Sequence, residues 1–181
     1  MHIIHVIQII KQIGEGGEQK TKPTQHSVKE MRGLGLFPDF IVCRAPYPVD
    51  VTARQKISLF CNVPVENVLT IHDVPNIYHV PAVMLDQKFD VLLRTRLGLD
   101  AGKENNVKVE WEQMINRIDG AEKVATIALV GKYTTLGDSY LSVTSALKHA
   151  CIETDQKLNL IMIDSSDLEE SKATSTPEVF Q

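Results

Sequence analysis

The sequence has few of the features that mark secreted or membrane proteins. It carries only three cysteines in 181 residues, and their wide spacing and odd number do not make a disulfide framework. No apolar run approaches the roughly 20 residues that a membrane span needs. The apolar stretch at residues 2–10 lacks the basic start and the small-residue cleavage site of a signal peptide. These absences indicate a cytosolic protein with reduced thiols.

Two further classes also lack support. The formal charge is −4 and the basic residues form no long run, so a nucleic-acid partner is not indicated. The six histidines and three cysteines lack the close spacing of a metal centre. The 43% hydrophobic and 23% charged residues are those of a soluble globular protein, whose length suits one ordinary domain or two small ones.

Residues 14–21 imitate a phosphate-binding loop but miss its central feature. Such a loop needs glycine directly before the lysine, as in G-x-x-x-x-G-K-[ST]. Here Gln19 precedes Lys20, and Glu15 and Glu18 would repel phosphate. We expect the glycines of this stretch to provide a flexible approach to the residues that follow.

The first half of the chain alternates between strand-like and helix-like runs. Asp50 or Thr52 is positioned to cap a helix that ends at Phe60, and Pro81 is positioned to open another. Alternation of this kind predicts an α/β fold with a parallel sheet. The other predicted elements are strands at residues 2–10, 39–43 and 67–71 and a helix at residues 24–34.

The second half begins with a polar stretch, residues 98–122, which we interpret as a linker with one short helix. A βαβ crossover is expected to follow it. A two-stranded parallel unit cannot bury both of its faces, so the second domain is expected to be truncated. The predicted elements are a strand at residues 124–130, a turn at 131–133, a helix at 139–152 and a strand at 158–163, before a polar tail at 165–181.

The hexapeptide Lys20-Thr21-Lys22-Pro23-Thr24-Gln25 is the most informative motif. Its two cations, two hydroxyls and one amide are donors suited to an oxyanion-rich ligand such as a triphosphate. A helix is predicted to begin at Pro23, and the free amides of a helix start also favour an anion. The alternative is a solvated, positively charged helix entrance without a ligand.

The hexapeptide and the residues around it resemble the corresponding segment of the cytidine triphosphate (CTP) synthases. The resemblance continues in order along nearly the whole chain, with residues 88–122 only loosely matched. It is carried by residues 17–28, 34–39, 41–44, 55–63, 72–78, 127–133 and 138–140.

The resemblance implies roles for particular residues. It implies that the hexapeptide and Lys56 bind uridine triphosphate (UTP) and the product CTP, and that the tripeptide His72, Asp73 and Val74 holds the adenine of ATP. Arg44 is a weaker candidate for the ATP pocket. No catalytic or metal-binding residue is expected in this chain, because the family places its phosphate loop and its Mg²⁺ ligands upstream. The hexapeptide members are Lys20, Thr21, Lys22, Pro23, Thr24 and Gln25.

The resemblance also implies an architecture and a reaction. Residues 1–97 would be the C-terminal part of a parallel-sheet amidoligase domain, 98–122 a linker, and 123–181 the truncated start of a flavodoxin-like class I glutaminase domain. The intact enzyme is a glutamine-hydrolysing C–N ligase of pyrimidine synthesis, expected in the cytoplasm as a homotetramer. It uses ATP and Mg²⁺ to phosphorylate the 4-oxygen of UTP, and ammonia from glutamine displaces the phosphate.

Two expectations concern residues of the second half. A glutaminase cysteine needs a sharp strand-to-helix turn, whereas Cys151 falls late in a predicted helix without flanking glycines and is expected to be a buried thiol. Lys132 is expected either to help domain coupling or to cap a turn. We therefore expect this internal fragment to be inactive alone. The alternative is a non-catalytic nucleotide-binding or assembly module derived from the enzyme.

Overall fold

The chain forms two compact units, residues 1–104 and 105–181. The computed structural model describes residues 5–9, 11–12, 19–100 and 106–168. Residues 13–18, which hold most of the phosphate-loop imitation, and the tail after residue 168 lie outside the described residues. The elements of the first unit are β1 (His5–Ile9), β2 (Lys11–Gln12), β3 (Gln19–Lys20), α1 (Lys22–Gly33), β4 (Phe40–Arg44), α2 (Val51–Cys61), β5 (Val68–Ile71), α3 (Val80–Asp86) and α4 (Phe89–Leu97).

A parallel sheet of order β1-β4-β5 organises the first unit. Its central strand, β4, pairs in parallel with both neighbours, and Val42 lies opposite Ile7 on β1 and Leu69 on β5. The short strands β2 and β3 form a separate antiparallel pair. The α/β class and the parallel sheet expected from the sequence are confirmed.

Both faces of this sheet are covered, as a parallel sheet requires. On one face Ile41 and Cys43 of β4 pack with Val28 of α1 and with Ala53 and Ile57 of α2. On the other face one cluster joins Val42, Leu69 and Ile71 to side chains of α3 and α4, namely Val80, Val83, Met84 and Phe89.

The first residues of the helices match their sequence signals. Asp50 caps α2, where its Oδ1 accepts a 2.6 Å hydrogen bond from the amide of Ala53. Pro81 lies in the first turn of α3, where the absence of its N–H has no cost. Asp50 is therefore confirmed over Thr52 as the cap, and Pro81 is confirmed at a helix start.

Side chains occupy the outer edge of β5. The amide of Gln87 bonds both the N–H and the carbonyl of Thr70, each at 2.8 Å. The Arg54 guanidinium donates to the carbonyl of Val68 at 3.0 Å. An edge strand otherwise offers these groups to another chain, so Gln87 and Arg54 take the place of a further strand.

Helix α4 was not expected from the sequence. The residue before it, Lys88, has a positive φ of 58° and its side chain does not cap the helix. None of the residues of α4 is fully buried, so the helix has no strong apolar face that a sequence pattern would show. An ion pair attaches its end to the sheet, because Arg96 Nε lies 2.6 Å from Asp39 Oδ1 just before β4.

The second unit contains α5 (Val107–Gly120), β6 (Lys123–Gly131), α6 (Leu141–Glu153) and β7 (Gln156–Asp164). Strands β6 and β7 are parallel over their full length, which confirms the expected βαβ crossover. The helix expected within residues 98–122 is α5, and it belongs to this compact unit. Its Arg117 forms an ion pair with the last residue of α6, since Arg117 Nη1 lies 3.0 Å from Glu153 Oε2. Cys151, also on α6, is buried, as expected from the sequence.

One face of the β6–β7 sheet is exposed in the described part of the chain and carries polar as well as apolar side chains. Val124, Val130 and Ile161 are 58%, 51% and 45% exposed. They alternate along the strands with less exposed residues such as Ile127 and Leu129. The expectation that a two-stranded unit leaves a face uncovered is met over these residues.

The core of the first unit holds two buried thiols, on β4 and at the end of α2. Burial and, to a smaller extent, the neighbouring Cys61 raise the pKa of Cys43 to about 12, against a lowering effect of Arg54. Burial also raises the pKa of Cys61, to about 11, against a lowering effect of Arg32. Both thiols are therefore protonated core side chains and not nucleophiles.

These pKa values predict a loss of stability at alkaline pH. An unfolded thiol ionises near pH 9, whereas the folded ones keep their protons to about pH 11 and 12. The contribution of the two thiols to the free energy of unfolding is therefore fully present below pH 9. Above pH 9 the free energy of unfolding decreases by about 1.4 kcal/mol per pH unit for each thiol. Urea unfolding between pH 8 and 10.5, followed by circular dichroism, measures this slope.

The Cys43→Ala variant should lose one thiol's share of the slope, although its stability at pH 8 is also reduced by the lost volume. The Val42→Ala variant, which also removes core volume but no titrating group, should keep the wild-type slope. Equal slopes in Cys43→Ala and wild type would contradict the assignment.

Candidate functional site

The hexapeptide lies where strand β3 passes into helix α1. Lys20 ends β3, Thr21 is the N-cap residue and Lys22 begins the helix. The Thr21 hydroxyl does not cap the helix and instead accepts a 3.0 Å hydrogen bond from the amide of Gln25. This bond fixes the Gln25 side chain beside the two lysines.

The positive charge at this helix start is unusual for a helix without a ligand. The N-terminal end of a helix carries partial positive charge and favours acidic side chains. The first turn of α1 has no acidic residue and begins with Lys22. A cation placed there opposes the helix dipole unless an anion lies nearby, so this arrangement favours an anion site over a simple charged entrance.

Helix α2 brings Lys56 to the same place. The described lining of one cavity, about 570 Å³ in volume, combines residues of both helices and contains no acidic side chain. We call it the first cavity. Phe60, with 61% of its surface exposed, belongs to it and was not singled out in the sequence. The described lining residues are Lys20, Thr21, Lys22, Gln25, Lys56 and Phe60.

Two members of the hexapeptide are absent from that described lining. Thr24 lies on the buried side of α1 and is fully inaccessible to solvent. Its hydroxyl has no hydrogen-bond partner among the described residues. Pro23 is exposed at the helix start. The structure therefore gathers Lys20, Thr21, Lys22 and Gln25 around the cavity, while Pro23 shapes the helix start and Thr24 lies in the core.

Gln19 positions the hexapeptide, a role that sequence patterns did not reveal. Its side-chain amide donates to the carbonyl of Pro48 at 3.0 Å and accepts from the N–H of Asp50 at 2.9 Å. Asp50 in turn caps α2. This pair of bonds ties the end of β3 to the start of the helix that carries Lys56, so Gln19 sets the distance between the two halves of the lining.

The second predicted group, His72, Asp73 and Val74, follows the end of β5. Asp73 forms a close ion pair with Arg44, which ends the adjacent strand β4. The Arg44 side chain is 44% exposed and the Asp73 side chain 62%, so the ion pair contributes at most about 1 kcal/mol to the free energy of unfolding. The Nδ1 atom of His72 is buried and has no partner among the described residues. A buried polar atom without a partner is rare and calls for an explanation.

All these residues lie at the carboxyl edge of the parallel sheet. Arg44 ends β4 and His72 directly follows β5, while Lys20 ends β3 and directly precedes the start of α1. Ligands of open α/β sheets bind beyond this edge. Neither Arg44 nor His72 lines the described part of the first cavity, so the structure presents two neighbouring candidate regions.

The turn after β6 in the second unit is tightly packed around Lys132. The hydroxyl of Tyr140 donates to the carbonyl of Lys132 at 2.8 Å. A Cβ atom on Gly131 would lie 2.0 Å from that hydroxyl, so any other residue at this position would displace the Tyr140 ring. The side chain of Lys132 is exposed. The backbone of Lys132 thus has a structural role in the turn, whereas a coupling role of its side chain stays a prediction.

Comparisons with known proteins identify related sequences. A family model described as "CTP synthase N-terminus" matches residues 1–99. Human CTP synthase 2 is 46% identical over 178 residues, which are 98% of this chain and 30% of that protein. Human CTP synthase 1 is 45% identical over 176 residues, and CTP synthase 1-A of Xenopus laevis is 43% identical over 175.

The chain belongs to the CTP synthase family. It spans about 30% of the length of the relatives it matches. In the ranges that the structure describes, no helix is long and apolar enough to cross a membrane.

The Gln19 contacts predict a local effect of substitution. Gln19→Ala removes the acceptor of the Asp50 amide, and one hydrogen bond is worth about 1 kcal/mol. Hydrogen exchange at the Asp50 amide should therefore become roughly fivefold faster. Residue-resolved exchange by NMR measures it.

A matched control is Gln113→Ala, which removes an exposed glutamine from helix α5 of the other unit. It should leave the Asp50 amide unchanged. Identical exchange at Asp50 in Gln19→Ala and in this control would show that the Gln19 contact does not hold the α2 start.

Proposed function

We propose that this chain is an internal part of a CTP synthase. Residues 1–97 would be the C-terminal part of the amidoligase domain, 98–122 the linker, and 123–181 the first part of a class I glutamine amidotransferase domain. The family match over residues 1–99 and the similarity to relatives over 178 residues support this arrangement. The parallel β6-α6-β7 crossover has the form that a flavodoxin-like glutaminase start requires.

The first cavity is proposed as the binding site for the phosphates of UTP and CTP. The observation that carries this proposal is that β3, α1 and α2 bring Lys20, Lys22 and Lys56 to one cavity without an acidic lining residue in the described part. Lysines and the Gln25 amide can donate charge-assisted hydrogen bonds to phosphate oxygens.

The residues after β4 and β5 are proposed to hold ATP. His72, Asp73 and Val74 would meet the adenine base, and Arg44 would orient Asp73 through their ion pair. The free Nδ1 of His72 is a suitable partner for a ring nitrogen or an exocyclic amine.

The described residues do not fit a magnesium site. Magnesium is bound through carboxylates together with substrate phosphates, whereas the first cavity offers cations and amides. Over the described ranges no group of three or more histidine, cysteine or acidic residues could hold a metal. The Mg²⁺ that the family uses with ATP is therefore expected to be held by residues outside this chain.

In the intact enzyme, these residues would bind and orient nucleotides for an ATP-dependent amination of UTP with nitrogen from glutamine. Cytoplasmic location and a homotetramer are proposed from the family. The alternative is a non-catalytic nucleotide-binding or assembly module, which would use the same cavity without turnover. The coding sequence before Met1 and after Gln181 separates the two hypotheses, because the enzyme needs a phosphate loop and a glutaminase cysteine there.

Binding of UTP to the purified chain should depend on the lysines of the first cavity. Each charge-assisted hydrogen bond is worth about 1.5–3 kcal/mol, so Lys20→Ala or Lys56→Ala should weaken UTP binding roughly tenfold or more. The double variant should lose less than the sum, because both lysines contact one ligand. Isothermal titration calorimetry measures these affinities at two salt concentrations, and binding should weaken with salt.

Lys148→Ala on α6 is the control, since it removes an exposed lysine from the other unit. Uridine, which lacks phosphates, should bind far more weakly than UTP. If Lys20→Ala and Lys56→Ala stay folded and bind UTP as tightly as Lys148→Ala, the site assignment is wrong.

The isolated chain should have no synthase activity. It lacks a phosphate loop of the G-x-x-x-x-G-K-[ST] form, and Cys151 is buried within a helix. The assay supplies UTP, ATP, Mg²⁺ and either ammonia or glutamine and follows CTP and glutamate. Formation of CTP from ammonia would contradict the proposal for the first unit, and glutamine hydrolysis would contradict it for the second.

A further inference from the structure

A second cavity of about 460 Å³ lies along α1 next to the first. It shares Lys22, Gln25 and Phe60 with the first cavity, but it continues along the helix toward its C-terminal end. Neither the hexapeptide motif nor the roles implied by the family resemblance include its additional residues. These are His26, Lys29 and Arg32.

Helical spacing places the basic residues of this cavity on one side of α1. Residues three, four or seven apart share a helix face, and Lys22, His26, Lys29 and Arg32 are separated by steps of four, three and three. Lys22 and Arg32 are ten residues apart, or about 15 Å along the axis. The His26–Arg32 end therefore lies farther along α1 than the hexapeptide.

The electrostatics of this face favour an anion. No acidic side chain lines the described part of the cavity, and Glu30, the acidic residue of α1, is not among its lining residues. Across the described ranges, Lys29 and Arg32 form no ion pair with an acidic side chain. Three cations and an imidazole thus line a concave surface whose described lining contains no acidic side chain.

A purely structural explanation covers only part of this arrangement. Cations near a helix C-terminus stabilise the helix dipole, and Arg32 also lies over the ring of Phe37, 5.6 Å from its centroid. Those effects account for Arg32. They do not account for the gathering of Lys29 and His26 with Lys22 around one cavity.

We propose that the His26, Lys29 and Arg32 end of this cavity is a second phosphate-binding site, beside and distinct from the first cavity. Its ligand is a phosphate group, supplied either by a free anion such as pyrophosphate or by a nucleotide that extends from the first cavity. The proposal stands on the cavity and its charges and does not require that the first cavity binds UTP.

The His26 ring provides a local probe of occupancy. Proton NMR of the purified chain, with the His26 signals assigned through His26→Gln, is recorded during titration with pyrophosphate and, separately, with UTP. In wild type the His26 ring signals should shift and saturate with at least one of the two ligands. Lys29→Gln combined with Arg32→Gln should weaken that titration at least tenfold, because two charge-assisted contacts are lost.

Three matched variants make the result specific. Lys148→Gln on α6 should titrate within twofold of wild type, and Arg32→Lys should keep more affinity than Arg32→Gln because it keeps the charge. Lys56→Gln should leave a pyrophosphate titration within twofold, whereas it should weaken a titration that arises from UTP held in the first cavity. These arms separate a free phosphate from a nucleotide source.

The proposal is overturned if neither ligand shifts the His26 signals, or if the Lys29 and Arg32 double variant titrates like Lys148→Gln. It is also overturned if Lys56→Gln abolishes the pyrophosphate titration, which would place that anion in the first cavity. Failure of UTP to bind while pyrophosphate still titrates His26 would contradict the proposed function and leave this second site intact.

Discussion

The parallel pairing of β4 on both of its edges is the constraint on which the first unit depends. A parallel strand flanked on both sides must bury both faces, and residues Phe40, Ile41 and Cys43 are almost completely inaccessible. Helices must therefore cover each face, and α1 with α2 on one side and α3 with α4 on the other do so. The connections that lead from the strands into these helices then converge at one sheet edge, which is where Lys20, Arg44 and His72 are found.

The sequence predicted the parts of this fold that local chemistry determines. Asp50 and Pro81 indicated helix starts because capping and the missing proline N–H act within a single turn. Helix α4 escaped prediction because it lacks a side-chain cap and a fully buried residue. It is held by contacts between residues far apart in sequence, namely Phe89 with Phe40 and Arg96 with Asp39. The strands β2 and β3 are two residues long, too short for any periodicity to be recognised.

The candidate site was predictable to a similar degree. The hexapeptide was visible as a dense set of donors, but the placement of Lys56 beside it came from family resemblance, because no spacing rule relates residue 56 to residue 20. Gln19 and Phe60 were missed for the same reason: a glutamine that bonds a distant backbone and an exposed aromatic side chain leave no signature in one sequence. Thr24 shows the opposite case, since its hydroxyl looked like a ligand donor and lies in the core.

The closed outer edge of β5 determines how this sheet can grow. With the outward groups of Val68 and Thr70 already bonded by Arg54 and Gln87, a further strand cannot be added there without displacing two side chains. Any strand that joins this sheet must instead pair with β1. The sheet can therefore be extended on one side only. Additional strands would lie beyond β1, away from the Arg44 and His72 loops, and β5 would remain an edge strand.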